Sequence, residues 1–157
     1  MTYLATVINA PFLYVHGNHD AQILKNPPEG CICIDGKMII YKGIRILGIG
    51  GSMKYNSDVL QFTEKEMTTR VLKLLPKVLL YKGFDILVTH AGAYKIGDLE
   101  DQCHKGFSVF NKLLNKFKPK YFFHGHSHLN YDLKNNRIIE LDNTKVVNAY
   151  EYYVVNY

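Results

Sequence analysis

The sequence has no apolar run approaching the roughly 20 residues that cross a bilayer. Residues 1–10 carry no basic cluster and no long apolar core, so no signal peptide is expected, and the cytoplasm is the expected compartment. Cysteine is scarce: Cys31, Cys33 and Cys103 are an odd set, too few for a disulfide framework. Cys31 and Cys33 share one face of a strand, but no second ligand pair completes a zinc site, so they read as small buried hydrophobes. Basic runs are missing too. The net charge is +5, yet all nineteen Lys and Arg residues, lysine except for Arg45, Arg70 and Arg137, are scattered with no run of three. Such spacing describes a solvated surface that attracts anions better than it describes a nucleic-acid groove. There is no internal repeat and no low-complexity linker.

What is present is enough for one domain over residues 1–157 with a substantial core, at 47% apolar and 21% charged residues. The organising stretch runs from Phe12 to Asp20. A short apolar run stops at Gly17, and Asn18, His19 and Asp20 follow at once. Apolar runs bounded by a breaker read as buried strands, and open α/β sheets carry their ligands beyond the carboxyl ends of such strands. Two later runs end alike: residues 86–89 deliver His90, and residues 121–123 deliver His124, His126 and His128. Three strand ends bearing histidine point to one shared site.

Other segments fill in the fold. Residues 3–9 read as the last turns of a helix or a frayed arm, and Pro11 opens a strand through residue 15. After the loop at 26–30, runs at 31–34, 38–41 and 44–49 are separated by Asp35-Gly36 and Lys42-Gly43, which predicts an antiparallel meander. Gly48, Gly50 and Gly51 either offer backbone amides to a phosphate or make a tight turn. Thr63 and Glu66 form a capping box ahead of a helical stripe of Met67, Val71, Leu74, Leu75, Val78 and Leu79. Pro76 is expected to kink or split that helix near Leu75, and Lys82-Gly83 to end it. A second helix over 106–117 places Phe107, Phe110, Leu114 and Phe117 on one face, and Pro119 stops it. Strands are expected at 131–133, 137–141, 146–149 and 152–155.

In this order, Gly17-Asn18-His19-Asp20, the lone His90 after a strand, and Gly125-His126-Ser127-His128 resemble the calcineurin-like metallophosphoesterases. The family's earlier motifs, Asp-x-His and Gly-Asp, do not occur in their usual places; Gly97-Asp98 falls after His90. The resemblance implies a mixed α/β fold (α+β mixed): two packed mixed β-sheets flanked by helices, a four-layer α/β/β/α sandwich lacking its first βαβ strands. It implies hydrolysis of phosphate mono- or diesters by metal-activated water, normally with two divalent ions (Mn, Zn or Fe). Asn18, His90 and His126 would hold the second ion and His128 the first. His19 would protonate the leaving group, with Asp20 behind its other ring nitrogen. Without the opening motifs, this chain alone is expected to hold one ion or fewer tightly. Gly17, His104 and Lys105 are candidates for substrate binding, the last two near a helix start that could meet a phosphate; the sequence there reads equally as a solvated acidic loop. His16 and His124 are assigned to the core or to supporting hydrogen bonds.

The absent strands would leave an open sheet edge suited to a homodimer or a partner chain. Two other readings stand beside the enzyme. One is a non-catalytic remnant that binds one metal or a protein partner. The other is a basic nucleic-acid-binding protein using its interleaved tyrosines.

Overall fold

A computed structural model describes residues 1–127 and 136–157. His128 and the strand expected at 131–133 lie outside the described residues. Three helical or extended pieces open the chain: helix α1 (Thr2–Val7), strand β1 (Phe12–Tyr14) and helix α2 (Ala21–Lys25). Strands β2 (Cys31–Cys33), β3 (Lys37–Tyr41), β4 (Ile44–Ile49), β5 (Ser52–Met53) and β6 (Gln61–Phe62) follow. Helix α3 (Glu64–Leu80), strand β7 (Ile86–Thr89), helix α4 (Ser108–Phe117) and strands β8 (Tyr121–His124), β9 (Ile138–Leu141) and β10 (Thr144–Asn148) complete it.

The central element is a six-stranded mixed sheet in the order β3-β4-β7-β8-β10-β9, with β4, β7, β8 and β10 parallel. One row of side chains crosses the whole sheet in register: Met38, Leu47, Leu87, Phe122, Val146 and Ile139. All of this row but Ile139, which is partly buried against it, belongs to the core together with Met67, Val71 and Val78 of α3 and Phe110, Leu113 and Leu114 of α4. Full burial of one such side chain contributes about 1.5–3 kcal/mol, so the row and its two helices dominate the stability of the fold. The mixed α/β class expected from the sequence, a mixed sheet flanked by helices, is what the chain adopts.

Local sequence explains both helices. Thr63 accepts from the Glu66 amide while the Glu66 carboxylate accepts from the Thr63 amide, the reciprocal cap expected from the spacing. α3 does not split at Pro76; it runs on to Leu80, because Pro76 lies on the exposed side while Val78 beyond it remains fully buried. Tertiary burial on the far side of the proline outweighs one missing hydrogen bond. α4 starts two residues later than expected, at Ser108, and its first turn is capped from another helix. The Glu64 carboxylate accepts from the amides of Ser108 and Val109 at 3.0 and 2.8 Å.

Two expectations change. The meander over 31–49 keeps only its second hairpin, β3-β4; β2 instead pairs in parallel with β1. Asp35-Gly36 fails as a hairpin turn because the Asp35 carboxylate is drawn inward to Arg70 and to the Gly50 amide, while the Gly36 amide donates to Gly48. The strand expected at 152–155 is irregular. Arg137 takes the carbonyls of Tyr150 and Tyr152, and the Tyr121 hydroxyl takes that of Asn156, so side chains replace a sheet partner for this tail.

Candidate active site

β7 and β8 are parallel neighbours, so their carboxyl ends come out side by side, and the Gly125 amide donates to the His90 carbonyl at 3.0 Å. β1 brings Asn18 to the same place. Gly17 makes that approach possible, since a Cβ there would stand 2.8 Å from Cε1 of His90. The result is a compact cluster. Nε2 of His90 lies 2.8 Å from Oδ1 of Asn18 and 3.0 Å from Nδ1 of His126.

The tautomer of His126 follows from its other neighbour. Its Nε2 stands 2.6 Å from the Cys103 carbonyl, which only accepts, so Nε2 carries the proton and Nδ1 presents its lone pair to the cluster. This residue holds a left-handed backbone (φ 64°), which turns the ring inward. Burial pushes His126 below the usual imidazole range, and the nearby His104 and His19 push the same way. The ring is therefore neutral at pH 7. An amide oxygen and an imidazole lone pair thus converge on one nitrogen, which bears the shared hydrogen here; a divalent cation of the Zn, Mn or Fe type would take that proton's place, and the three atoms fit it as a donor set.

Asn18, His19, His90, His104, His126 and Tyr150 line an open cavity of about 210 Å³. Asn18 is only 3% exposed, whereas His19 is exposed at the mouth. The Asp20 carboxylate is used by its own turn. Its Oδ2 accepts from the Gly17 amide at 2.7 Å, closing the turn that carries Asn18 and His19. Asp20 thereby shapes the loop.

His104 reaches the cavity, with its ring centroid 4.9 Å from that of His126. Its Nδ1 lies 2.9 Å from the Asp101 carboxylate. Burial pushes the Asp101 carboxyl up, but hydrogen bonds from Cys103 and His104 outweigh it and hold the group at about 2. Among the described residues, Asp101, Cys103 and His104 are the one group of three ionisable side chains whose ligand atoms could share a metal. Lys105 turns away and places its Nζ 5.4 Å from the centre of the Tyr94 ring. The helix start beside it is not open to a phosphate, because Glu64 already occupies its first amides.

The glycines at 48–51 make the tight turn. The Gly50 amide donates to Asp35 and the Gly51 amide to the His16 carbonyl, so neither is available to an anion. Behind the site, Asp35 joins His16 Nδ1 (3.0 Å), Arg70 (2.7 Å) and the Gly50 amide (2.6 Å), and Arg70 also donates to the Gly50 carbonyl. This buried network ties the loop after β1 to the loop after β4. Cys31 and Cys33 are half-buried and free, not core hydrophobes, and the Cys33 sulfur lies 3.9 Å from the His16 ring. His124 is fully buried, which lowers its pKa to about 4.

Sequence reasoning missed Tyr55, whose hydroxyl accepts from Nδ2 of Asn18 at 2.9 Å, and Tyr150 in the cavity wall. A tyrosine in a polar loop carries no periodic or motif signal, so nothing in the sequence marks either one.

The sequence matches the calcineurin-like phosphoesterase family over residues 1–130. The chain belongs to that family. Members are phosphoesterases, and divalent metals are their usual cofactor. No curated protein sequence matches the chain. Among solved structures, it resembles that of TT1561 of Thermus thermophilus with a TM-score of 0.63 and 14% identity, covering 95% of this chain and 68% of that one. Another crystal structure matches with a TM-score of 0.63 and 19% identity over 91% of this chain. This chain spans 58% of the length of that relative. At these identities the likeness is one of fold. No helix among the described residues is long and apolar enough to cross a membrane.

Proposed function

We propose that the protein is a metal-dependent hydrolase of phosphate mono- or diesters, with a centre formed on Asn18, His90 and His126. The observation that carries this reading is the convergence of Asn18 Oδ1 and His126 Nδ1 on His90 Nε2, within 3.0 Å, beside an open cavity. These residues would hold a divalent cation, which would supply Lewis-acid charge to phosphate oxygens and lower the pKa of water. None of the three side chains is a carboxylate, so the charge of a bound cation would stay available to an anionic ester.

The remaining work falls to the chain's own groups. His19 is exposed and lines the cavity, and it would give a proton to the leaving oxygen. Asp20 keeps the turn closed so that His19 stays beside Asn18. Tyr150 and His104 bound the space left for the ester's organic group.

Hydrolysis of p-nitrophenyl phosphate and bis(p-nitrophenyl) phosphate, measured with Mn²⁺ or Zn²⁺ and with a chelator, tests this directly. Metal-dependent turnover is expected, with His126→Ala abolishing it and His19→Ala lowering it by about 10²–10⁴-fold. Equal rates for wild type and His126→Ala would overturn the reading.

A further inference from the structure

The two ends of the Asn18 amide are opposite in character. Its oxygen offers a lone pair to a cation, and its NH₂ group offers protons. A buried amide presents its oxygen inward only if something outside takes the NH₂ end, because an unpaired buried donor costs about 1–3 kcal/mol. Asn18 is 3% exposed, and the partner for its Nδ2 is the hydroxyl of Tyr55 at 2.9 Å.

Tyr55 reaches that position through a built scaffold. The segment between β5 and β6 is closed at its base by the Ser52 amide on Leu60 (3.1 Å) and the Lys54 amide on Phe62 (3.0 Å). The buried side chain of Gln61 accepts from the amides of both Tyr55 and Asn56, at 3.1 and 3.0 Å. A 37-residue separation in sequence is thereby reduced to one hydrogen bond on the loop after β1.

We infer that Tyr55 is a positioning residue of the metal centre: its hydroxyl takes the NH₂ end of Asn18 and leaves Oδ1 facing His90 and His126. The inference rests on the reading of Asn18, His90 and His126 as the metal centre. Partners behind a ligand commonly change metal affinity by about 10–100-fold when removed.

Tyr55→Phe deletes only the hydroxyl and keeps the ring. Titration of the full chain with Mn²⁺, followed by electron paramagnetic resonance, is expected to show about 10–100-fold weaker binding in this variant. In an Asn18→Ala background, Tyr55→Phe is expected to have no further effect, because there is no amide left to orient. A merely structural role would lower affinity by the same factor in both backgrounds. In the metal-free protein, side-chain ¹⁵N–¹H spectra are expected to show faster exchange of the Asn18 NH₂ protons in Tyr55→Phe. Unchanged affinity in Tyr55→Phe, or an equal loss in both backgrounds, would overturn the role of Tyr55 alone. Failure of the wild-type chain to bind Mn²⁺ would overturn this inference together with the metal reading.

Discussion

His90 and His126, 36 residues apart in sequence, face each other through ring nitrogens 3.0 Å apart, and the far nitrogen of His126 is fixed on the Cys103 carbonyl at 2.6 Å. This arrangement allows one tautomer of His126, protonated at Nε2 and bare at Nδ1. ¹⁵N spectra of the metal-free chain at pH 7 are expected to show that tautomer. A ring protonated at Nδ1 would mean that no lone pair faces the cluster.

Gly17 sets how closely the loop after β1 approaches β7. Gly17→Ala would place a methyl group 2.8 Å from the His90 ring, and either that ring or the loop must move. Overpacking of this kind costs about 1–3 kcal/mol, and here it also pulls Asn18 away from His90. Chemical denaturation combined with Mn²⁺ titration should show both a loss of stability and weaker binding. A variant that loses neither would show that the approach is not constrained.

Asp35 is the hub behind the site. Its side chain is 9% exposed and holds His16, Arg70 and the Gly50 amide together. Asp35→Ala leaves the Gly50 amide without its acceptor and Arg70 with only the Gly50 carbonyl, and breaking a buried pair of this kind costs about 3–5 kcal/mol. The urea midpoint should fall accordingly, and a drop comparable to that of an exposed lysine substitution would contradict the role of the network.

Acid should weaken the fold through His124. Its folded pKa, lowered to about 4 by burial, stands below the ordinary value of 6.5, so below pH 6.5 the unfolded chain takes up a proton that the folded chain refuses. Stability therefore falls as pH drops from about 6.5 toward 4, by roughly 3 kcal/mol when the shift is fully expressed. Asp85, held below its ordinary value by hydrogen bonds from Arg45, adds stability that is lost only at still lower pH. Urea midpoints across pH 4–7 check this, and His124→Leu should flatten the slope. An unchanged slope would assign the acid sensitivity elsewhere.

The parts of this architecture set by local rules were legible in the sequence. The Thr63–Glu66 box and the 3.6-residue stripes of Met67, Val71 and Val78 and of Phe110 and Leu114 predict both long helices. The strand-end position of Asn18, His90 and His126 was legible because each follows an apolar run cut by polar residues or glycine. What escaped depends on partners far along the chain. Asp35-Gly36 has the composition of a hairpin turn, and only Arg70, 35 residues on, shows why it is not one. The first amides of α4 look like an anion site until Glu64, 44 residues earlier, is found on them. Tyr55 and Tyr150 gain their meaning from tertiary placement alone.

The most direct measurement is the Mn²⁺ content and affinity of the purified chain, compared with His126→Ala and His90→Ala. Saturable binding is expected in the wild-type chain, abolished by both substitutions while the fold, followed by circular dichroism, persists. Binding that survives either substitution, or no binding by the wild-type chain, would contradict a metal centre on Asn18, His90 and His126.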